Sequence, residues 1–360
     1  MVGAKPLEKL YLNMKKILII GAGAMGSAFS LPCVENLNKV TLIGTHLETK
    51  IINKLKKNRF HPSLKTLLPK KDVIKNYKYL DEELKKKPNF IVIAVSSKGI
   101  DWVCEKLIKN YQGRYSLILL TKGLAKFKNR LITISTKINN LFKKNKLPYQ
   151  DITSIKGPCL AVGLINKVRT STVIANKKIK NALKVSKLIS TNYYKSEVSK
   201  DINGVETLGA IKNIYAMLIG ASKGLSGSNL PKKIREKYFH NTSSSLFRDA
   251  LLEMKNFSKK MKGLPETAYG LAGLGDLYVS VAGGRNSILG YYLGVGRKYL
   301  DIKKNIMKKI TTEGSDLAIE FGPIIKKNYK KKDFPIMFAL INSICKNKIL
   351  KIEWEIKKKY

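Results

Sequence analysis

Cysteine, histidine and acid are all scarce in this chain. Its four cysteines, at 33, 104, 159 and 345, form no CxxC pair and no Cys–His cluster. Neither a disulfide framework nor a zinc site is therefore indicated, and the cysteines read as small buried hydrophobes in a reducing compartment. Three dispersed histidines, His46, His61 and His240, do not make a metal centre either, so no metal is expected. No apolar run reaches the roughly 20 residues that a membrane span needs. The opening stretch MVGAKPLEKLYLN lacks the apolar core of a signal peptide, and residues 1–13 read as an appendage ahead of Met14. A cytoplasmic protein without membrane insertion is the expectation. Asp and Glu number 25 against 69 Lys and Arg, for a net charge of +44. The lysines flank nearly every predicted element instead of gathering on one face among exposed aromatics. That distribution argues for a chain-wide bias with solvated lysine-rich faces and against a nucleic-acid partner. Such a charge still draws anionic substrates into any cleft it surrounds.

What is present is enough for two domains: 360 residues, 44% of them hydrophobic. Short apolar runs at 16–20, 40–44, 90–95, 116–121, 152–158 and 170–175 read as buried strands. Helical patterns lie between them, from Ala24 to about Leu37 and over 98–110. Strands alternating with helices imply a parallel sheet covered on both faces. After about 200 the pattern changes, and 205–222, 241–262, 284–299, 313–329 and 336–346 read as helices punctuated by Gly and Pro. The fold class is thus α/β, a doubly wound sheet domain followed by an all-α C-terminal domain, with the boundary near 195–203.

Gly21-Ala22-Gly23-Ala24-Met25-Gly26 is GxGxxG, directly after the strand KILII and directly before a helix. In that context the spacing has a physical meaning. Gly21 permits the tight turn, Gly23 lets a pyrophosphate approach the backbone, and Gly26 lets the helix pack on the strand. The helix start at Ala24 and Met25 offers free N–H groups to phosphates. The second strand ends Gly44-Thr45-His46, without the acid that binds a ribose hydroxyl. The nearest acid is Glu48, and no arginine stands by for a 2′-phosphate. The motif calls for NAD or NADP without choosing between them.

Further motifs follow in order: LTKGL at 120–124, KGP at 156–158, GVETLGAIKN ending at Asn213, GLAGLGDLYVS at 270–280, GGRN at 283–286 and TTEGSD at 311–316. With GAGAMG they resemble the NAD(P)-dependent glycerol-3-phosphate dehydrogenases, from about 16 to 347. The resemblance implies a Rossmann-like dinucleotide-binding domain over 14–200 and a helical substrate-binding domain over 201–360. It also implies roles for particular residues. Lys212 matches the family's catalytic lysine and Asn213 the asparagine beside it. Lys122 matches a second lysine that reaches substrate and cofactor from the first domain. Asp276 matches an aspartate bonded near the catalytic lysine, and Ser280 stands for the usual threonine. Arg285 and Asn286 match the phosphate-binding pair, with Arg285 also reaching the cofactor. Glu313 falls where the family has a polar group near the cofactor. Ser96, Gly157 and Ala161 fall in stretches that line the cofactor or substrate. The usual SGPSFAxE is here Lys156-Gly157-Pro158-Cys159-Leu160-Ala161-Val162-Gly163, so a serine has become Lys156 and a glutamate Gly163.

These roles make chemical sense. Hydride transfer to a ketone carbon leaves growing negative charge on the oxygen, which a positioned ammonium stabilises and protonates. A guanidinium grips a phosphate through two parallel hydrogen bonds. The implied reaction interconverts dihydroxyacetone phosphate and sn-glycerol 3-phosphate for phospholipid synthesis, in a protein that allows a homodimer. Two other readings keep part of this picture. A ketopantoate reductase-like enzyme would need no phosphate grip of the GGRN type. A non-catalytic nicotinamide or nucleic-acid binder would not need both lysines, Asp276 and Arg285.

Overall fold

A computed structural model describes residues 14–226 and 230–353. The 1–13 appendage, residues 227–229 of the basic segment 223–240, and 354–360 lie outside the described residues. The chain divides into two compact units. One runs to Lys122 and resumes over Ile134–Ile202; the other combines Gly123–Thr133 with the chain from Asn203 onward.

The first unit is built on an eight-stranded sheet. In chain order the main strands and helices of the N-terminal half, leaving aside the short pair Phe60–His61 and Thr66–Leu67, are β1 (Lys16–Ile20), α1 (Ala24–Glu35), β2 (Lys39–Ile43), α2 (Thr49–Asn58), β3 (Val73–Lys75), β4 (Phe90–Ile93), α3 (Ile100–Lys109), β5 (Ser116–Leu119), β6 (Leu124–Phe127), β7 (Arg130–Thr133), α4 (Ile134–Lys144), β8 (Asp151–Lys156), β9 (Thr170–Ala175), α5 (Ile179–Ile189) and β10 (Tyr194–Ser199). The sheet order is β10-β9-β8-β5-β4-β1-β2-β3. From β8 to β3 every pairing is parallel, and both faces are covered, so these strands read as continuous apolar runs. Ile17, Ile19, Val92, Ile118 and Ile155 meet Phe29 of α1 and Val185 of α5 in one core. The wholly parallel sheet expected from the sequence needs a correction at one edge. β9 runs antiparallel to β8, and β10 lies parallel to β9. The connection after β8 carries only the five-residue helix Ala161–Ile165 and turns the chain back instead of crossing over.

Residues 123–133 fall inside the expected 14–200 range, yet they group with the helical unit. They form the hairpin β6–β7, whose two-residue turn places Lys128 and Asn129 at φ 45° and 57°. That is the left-handed pair a tight hairpin requires. The reason for the grouping is burial: Leu124 and Leu131 are 2% and 7% exposed within the helical core. Asn328 Nδ2 also donates to Asn129 O at 2.8 Å.

The second unit centres on α6 (Ile202–Gly220), which is buried almost all round. An encircled helix is mostly apolar on every face, and this one is, with Glu206, Lys212 and a few polar residues as the exceptions. Around it lie α7 (His240–Lys260), α8 (Asp276–Val281), α9 (Arg285–Gly294), α10 (Glu313–Asn328) and α11 (Pro335–Cys345). The expected helices at 205–222, 241–262, 313–329 and 336–346 correspond to α6, α7, α10 and α11; the one at 284–299 ends earlier, at Gly294. A Cβ on Gly290 would lie 1.9 Å from Met217 O, so α9 approaches the backbone of α6 as only glycine allows. No helix of the described residues is long and apolar enough to cross a membrane.

One buried acid in the first unit gives a stability prediction. Asp72 is 4% exposed, and burial pushes its carboxyl up to about 6, although Ser30 and Arg59 oppose the shift. Its Oδ2 lies 2.6 Å from Ser30 Oγ, while Oδ1 has no hydrogen-bond partner among the described residues. A carboxyl raised on folding gives stability that is full below its unfolded value near 4 and is lost as pH rises through about 6. Asp72→Asn is therefore expected to gain up to about 3 kcal/mol over the wild type at pH 8 relative to pH 4. Urea midpoints of both proteins at the two pH values measure this; a constant difference would contradict it.

Candidate functional site

The glycine loop joins β1 to α1 at the carboxyl edge of the sheet. Gly21 has φ +113°, and a Cβ there would lie 2.7 Å from Ala94 O. A Cβ on Gly26 would lie 2.1 Å from Gly21 O, so α1 begins hard against the loop. Gly23 precedes the helix in extended geometry, and the first turn of Ala24, Met25 and Gly26 follows it. Ser96 ends the segment after β4 and accepts from Gly99 N at 2.9 Å. Lys122 follows β5, and Gly157 follows β8 with φ +137°. Ala161 opens the short helix that packs on α1.

Sequence reasoning found no acid at the end of β2. The structure brings one back. A 3-10 turn over His46–Glu48 returns the Glu48 carboxylate to the loop, where Oε2 accepts from Ala22 N at 2.9 Å and from Thr45 N at 2.8 Å. Its Oε1 lies 3.4 Å from where a Cβ on Gly23 would stand. The other side of the same peptide is held too. Ala22 O lies 3.0 Å from His61 Nε2 and accepts from Ser27 Oγ at 3.1 Å. His61 is fully buried and its Nδ1 accepts from Leu64 N at 3.2 Å, which assigns the proton to Nε2. Glu48 and His61 are thus loop-holding residues that sequence reasoning missed. The only available signal was the Thr45–Glu48 spacing of a capping box.

In the helical unit the candidates form two groups. Lys212, at 5% exposure, sits midway along α6. Its Nζ pairs with an Asp276 carboxylate oxygen, lies 2.7 Å from Ser280 Oγ and 3.3 Å from Asp276 O. Asp276, 2% exposed, opens α8 after a π-helical turn over Leu271–Gly275. A Cβ on Gly273 of that turn would lie 2.1 Å from Ala268 O, so GLGD is a packing requirement as well as a motif. Ser280, one helical turn on, donates to Asp276 O at 2.8 Å, which aims its lone pairs at the ammonium.

Arg285 and Asn286 open α9, and Glu313 opens α10. Arg285 Nη2 pairs with Glu313 Oε1 at 2.5 Å, and Asn286 Nδ2 donates to Glu313 Oε2 at 3.3 Å. Asn286 Oδ1 accepts from Gly314 N at 3.0 Å. A Cβ on Gly314 would lie 2.5 Å from Asn213 O, so α10 starts against the residue next to Lys212. The structure therefore holds Lys212, Asp276 and Ser280 in one group and Arg285, Asn286 and Glu313 in another, the two linked through Gly314 against Asn213. Both partners of the Arg285–Glu313 pair are about half exposed, so the pair is weak and open to exchange.

A glycine loop leading into α1 in one unit, with a buried ammonium and a separate half-exposed Arg285–Glu313 pair in the other, is the arrangement of a class: two-unit, dinucleotide-dependent oxidoreductases. The sequence matches the models of the N-terminus, over 16–182, and the C-terminus, over 201–353, of NAD-dependent glycerol-3-phosphate dehydrogenase. It is 31% identical over 283 residues to the NADP(+)-dependent glycerol-3-phosphate dehydrogenase of Archaeoglobus fulgidus, covering 78% of this chain and 80% of that one. It is 27% identical over 336 residues to the glycerol-3-phosphate dehydrogenase [NAD(P)+] of Mycoplasma mobile, covering 92% of each. The fold is that of the Plasmodium falciparum glycerol-3-phosphate dehydrogenase, with TM-score 0.80, 20% identity and coverage of 98% and 99%. The chain belongs to the NAD(P)-dependent glycerol-3-phosphate dehydrogenase family.

Proposed function

We propose that this protein reduces dihydroxyacetone phosphate to sn-glycerol 3-phosphate, and reverses that step, with Lys212 as the proton donor and acceptor. The observation that carries the reading is the Lys212 ammonium, buried and held between Asp276 and Ser280. A lysine fixed by a carboxylate and a hydroxyl presents its ammonium, and so a proton, at one fixed place, which is what a carbonyl oxygen gaining charge requires. In reduction Lys212 gives that proton to the oxygen as the C–H bond forms; in oxidation the neutral amine takes it from the alcohol. Asp276 keeps the lysine aimed, and Asn213 and Lys122 contact the substrate. Arg285 leaves Glu313 for the substrate phosphate, with Asn286 beside it, so the remote dianion fixes where the ketone lies. Gly157 gives the substrate room.

The loop residues fit a dinucleotide. The uncapped α1 N-terminus and Gly23, set by the tight turn at Gly21, suit a pyrophosphate approaching backbone. When bound, NAD or NADP supplies the hydride. The family resemblance assigns Ser96, Ala161, Lys122, Arg285 and Glu313 to its remaining length. Glu48 holds the loop in its receptive shape. Glu48→Ala is therefore expected to raise KM for the dinucleotide about tenfold, the loss of a charge-assisted pair of hydrogen bonds, while kcat changes less than about threefold. Equal changes in kcat and KM would count against that role.

The reaction takes place in the cytoplasm, runs mainly toward sn-glycerol 3-phosphate, and serves phospholipid synthesis. The protein acts as a homodimer, for which light scattering should give twice the chain mass. The test of function is NADH and NADPH oxidation with and without dihydroxyacetone phosphate. Ketone-dependent oxidation that yields the sn-3 phosphate supports the reading. Oxidation indifferent to this ketone ends it.

A further inference from the structure

Lys156 ends β8 and is only 2% exposed. Its ammonium donates to Leu119 O at 3.0 Å, Ser154 Oγ at 2.9 Å and Ile155 O at 3.2 Å. Its own carbonyl accepts from Thr172 Oγ1 at 2.7 Å, which ties the strand end to β9. Leu119 is the last residue of β5 and stands opposite Ser154 in the parallel ladder. Three residues beyond it is Lys122. On the far side of the same segment, Thr121 Oγ1 donates to Val95 O at 2.7 Å and Leu120 N donates to Ile93 O at 3.0 Å. The end of β5 is therefore fastened to β4 by Thr121 and Leu120, and to β8 by the Lys156 side chain. This occurs at the carboxyl ends of the strands, where open α/β sheets form their ligand crevice. Lysines are seldom buried so fully, and burying the ammonium here requires these carbonyl and hydroxyl acceptors. A serine in this place, as in the sequences this stretch resembles, is too short to span from β8 to Leu119 O.

We infer that Lys156 is a positioning residue for the reaction: its ammonium pins the end of β5 so that the turn after it presents Lys122 to the phosphorylated substrate. The inference rests on the proposed role of Lys122. Its test is steady-state oxidation of NADH by the full chain with dihydroxyacetone phosphate. In Lys156→Met, which keeps the length and removes the donors, KM for the ketone phosphate should rise about tenfold, as expected for lost charged hydrogen bonds. KM for NADH, which Lys122 also meets, should rise less, by no more than about threefold. Lys156→Gln restores an N–H donor and should recover part of the loss. Should Lys156→Met not fold, Lys156→Gln carries the test, with a smaller rise that is again larger for the ketone KM than for the NADH KM. Variants whose two KM values stay at wild-type levels, or rise together with a lower melting temperature, overturn the inference. A wild type without ketone-dependent turnover overturns the reading of the whole site; an active wild type with normal variants overturns only the role of Lys156.

Discussion

Lys212→Met should lower kcat/KM for dihydroxyacetone phosphate by on the order of 10³-fold or more, because it removes the proton donor and the charge that stabilises the developing alkoxide. The effect should fall mainly on kcat, since the dinucleotide loop belongs to the other unit and is untouched. Stability should suffer as well. Lys212 and Asp276 side chains are 6% and 3% exposed, and removing one partner of so buried a pair costs about 3–5 kcal/mol. The double variant Lys212→Met with Asp276→Asn separates the two effects. Without the buried carboxylate its stability should recover in part, while turnover stays lost. Stopped-assay rates and urea midpoints on the three proteins measure both. A single variant that keeps a tenth of wild-type turnover would remove Lys212 from the chemistry.

The second large effect concerns Arg285. Its resting partner Glu313 lies in an exposed pair, which contributes at most about 1 kcal/mol, whereas a phosphate dianion offers two strong acceptor oxygens. Exchange therefore favours substrate. Arg285→Ala should raise KM for dihydroxyacetone phosphate about 100-fold, the scale of two charged hydrogen bonds. A ketone without phosphate, such as dihydroxyacetone, should be turned over equally poorly by both proteins. That contrast also separates the phosphate-gripping reading from a ketopantoate reductase-like one, because a carboxylate substrate would not depend on the guanidinium in this way. An unchanged KM for the ketone phosphate would show that the substrate is held elsewhere.

Much of this was legible in the sequence, and the reasons differ from place to place. The glycine loop was visible because its geometry admits no other residue: Gly21 adopts φ +113°, and a Cβ on Gly26 would strike Gly21 O. The helix α6 was visible as a helical pattern over 205–222, rich in small residues, that carries Lys212 and Asn213. Glu48 was passed over because the acid was sought at the strand end, while a 3-10 turn brings a residue from beyond it back to the loop. His61 was invisible for a related reason. Its bond to Ala22 O spans 39 residues, and no local pattern announces it. The hairpin 124–133 was absorbed into the first domain because Leu124 and Leu131 are buried by helices far along the chain. The reversal of β9 was hidden because a buried strand shows the same apolar run in either direction.

The central claim is that one ammonium, placed by Asp276 and Ser280, moves the proton. Small amines added to Lys212→Ala test it most directly, because they can enter the space left by the side chain. Turnover of dihydroxyacetone phosphate should return as methylammonium concentration rises, and should not return with tetramethylammonium, which has no proton to give. Equal recovery with both cations, or an alanine variant already close to wild type, would contradict the account.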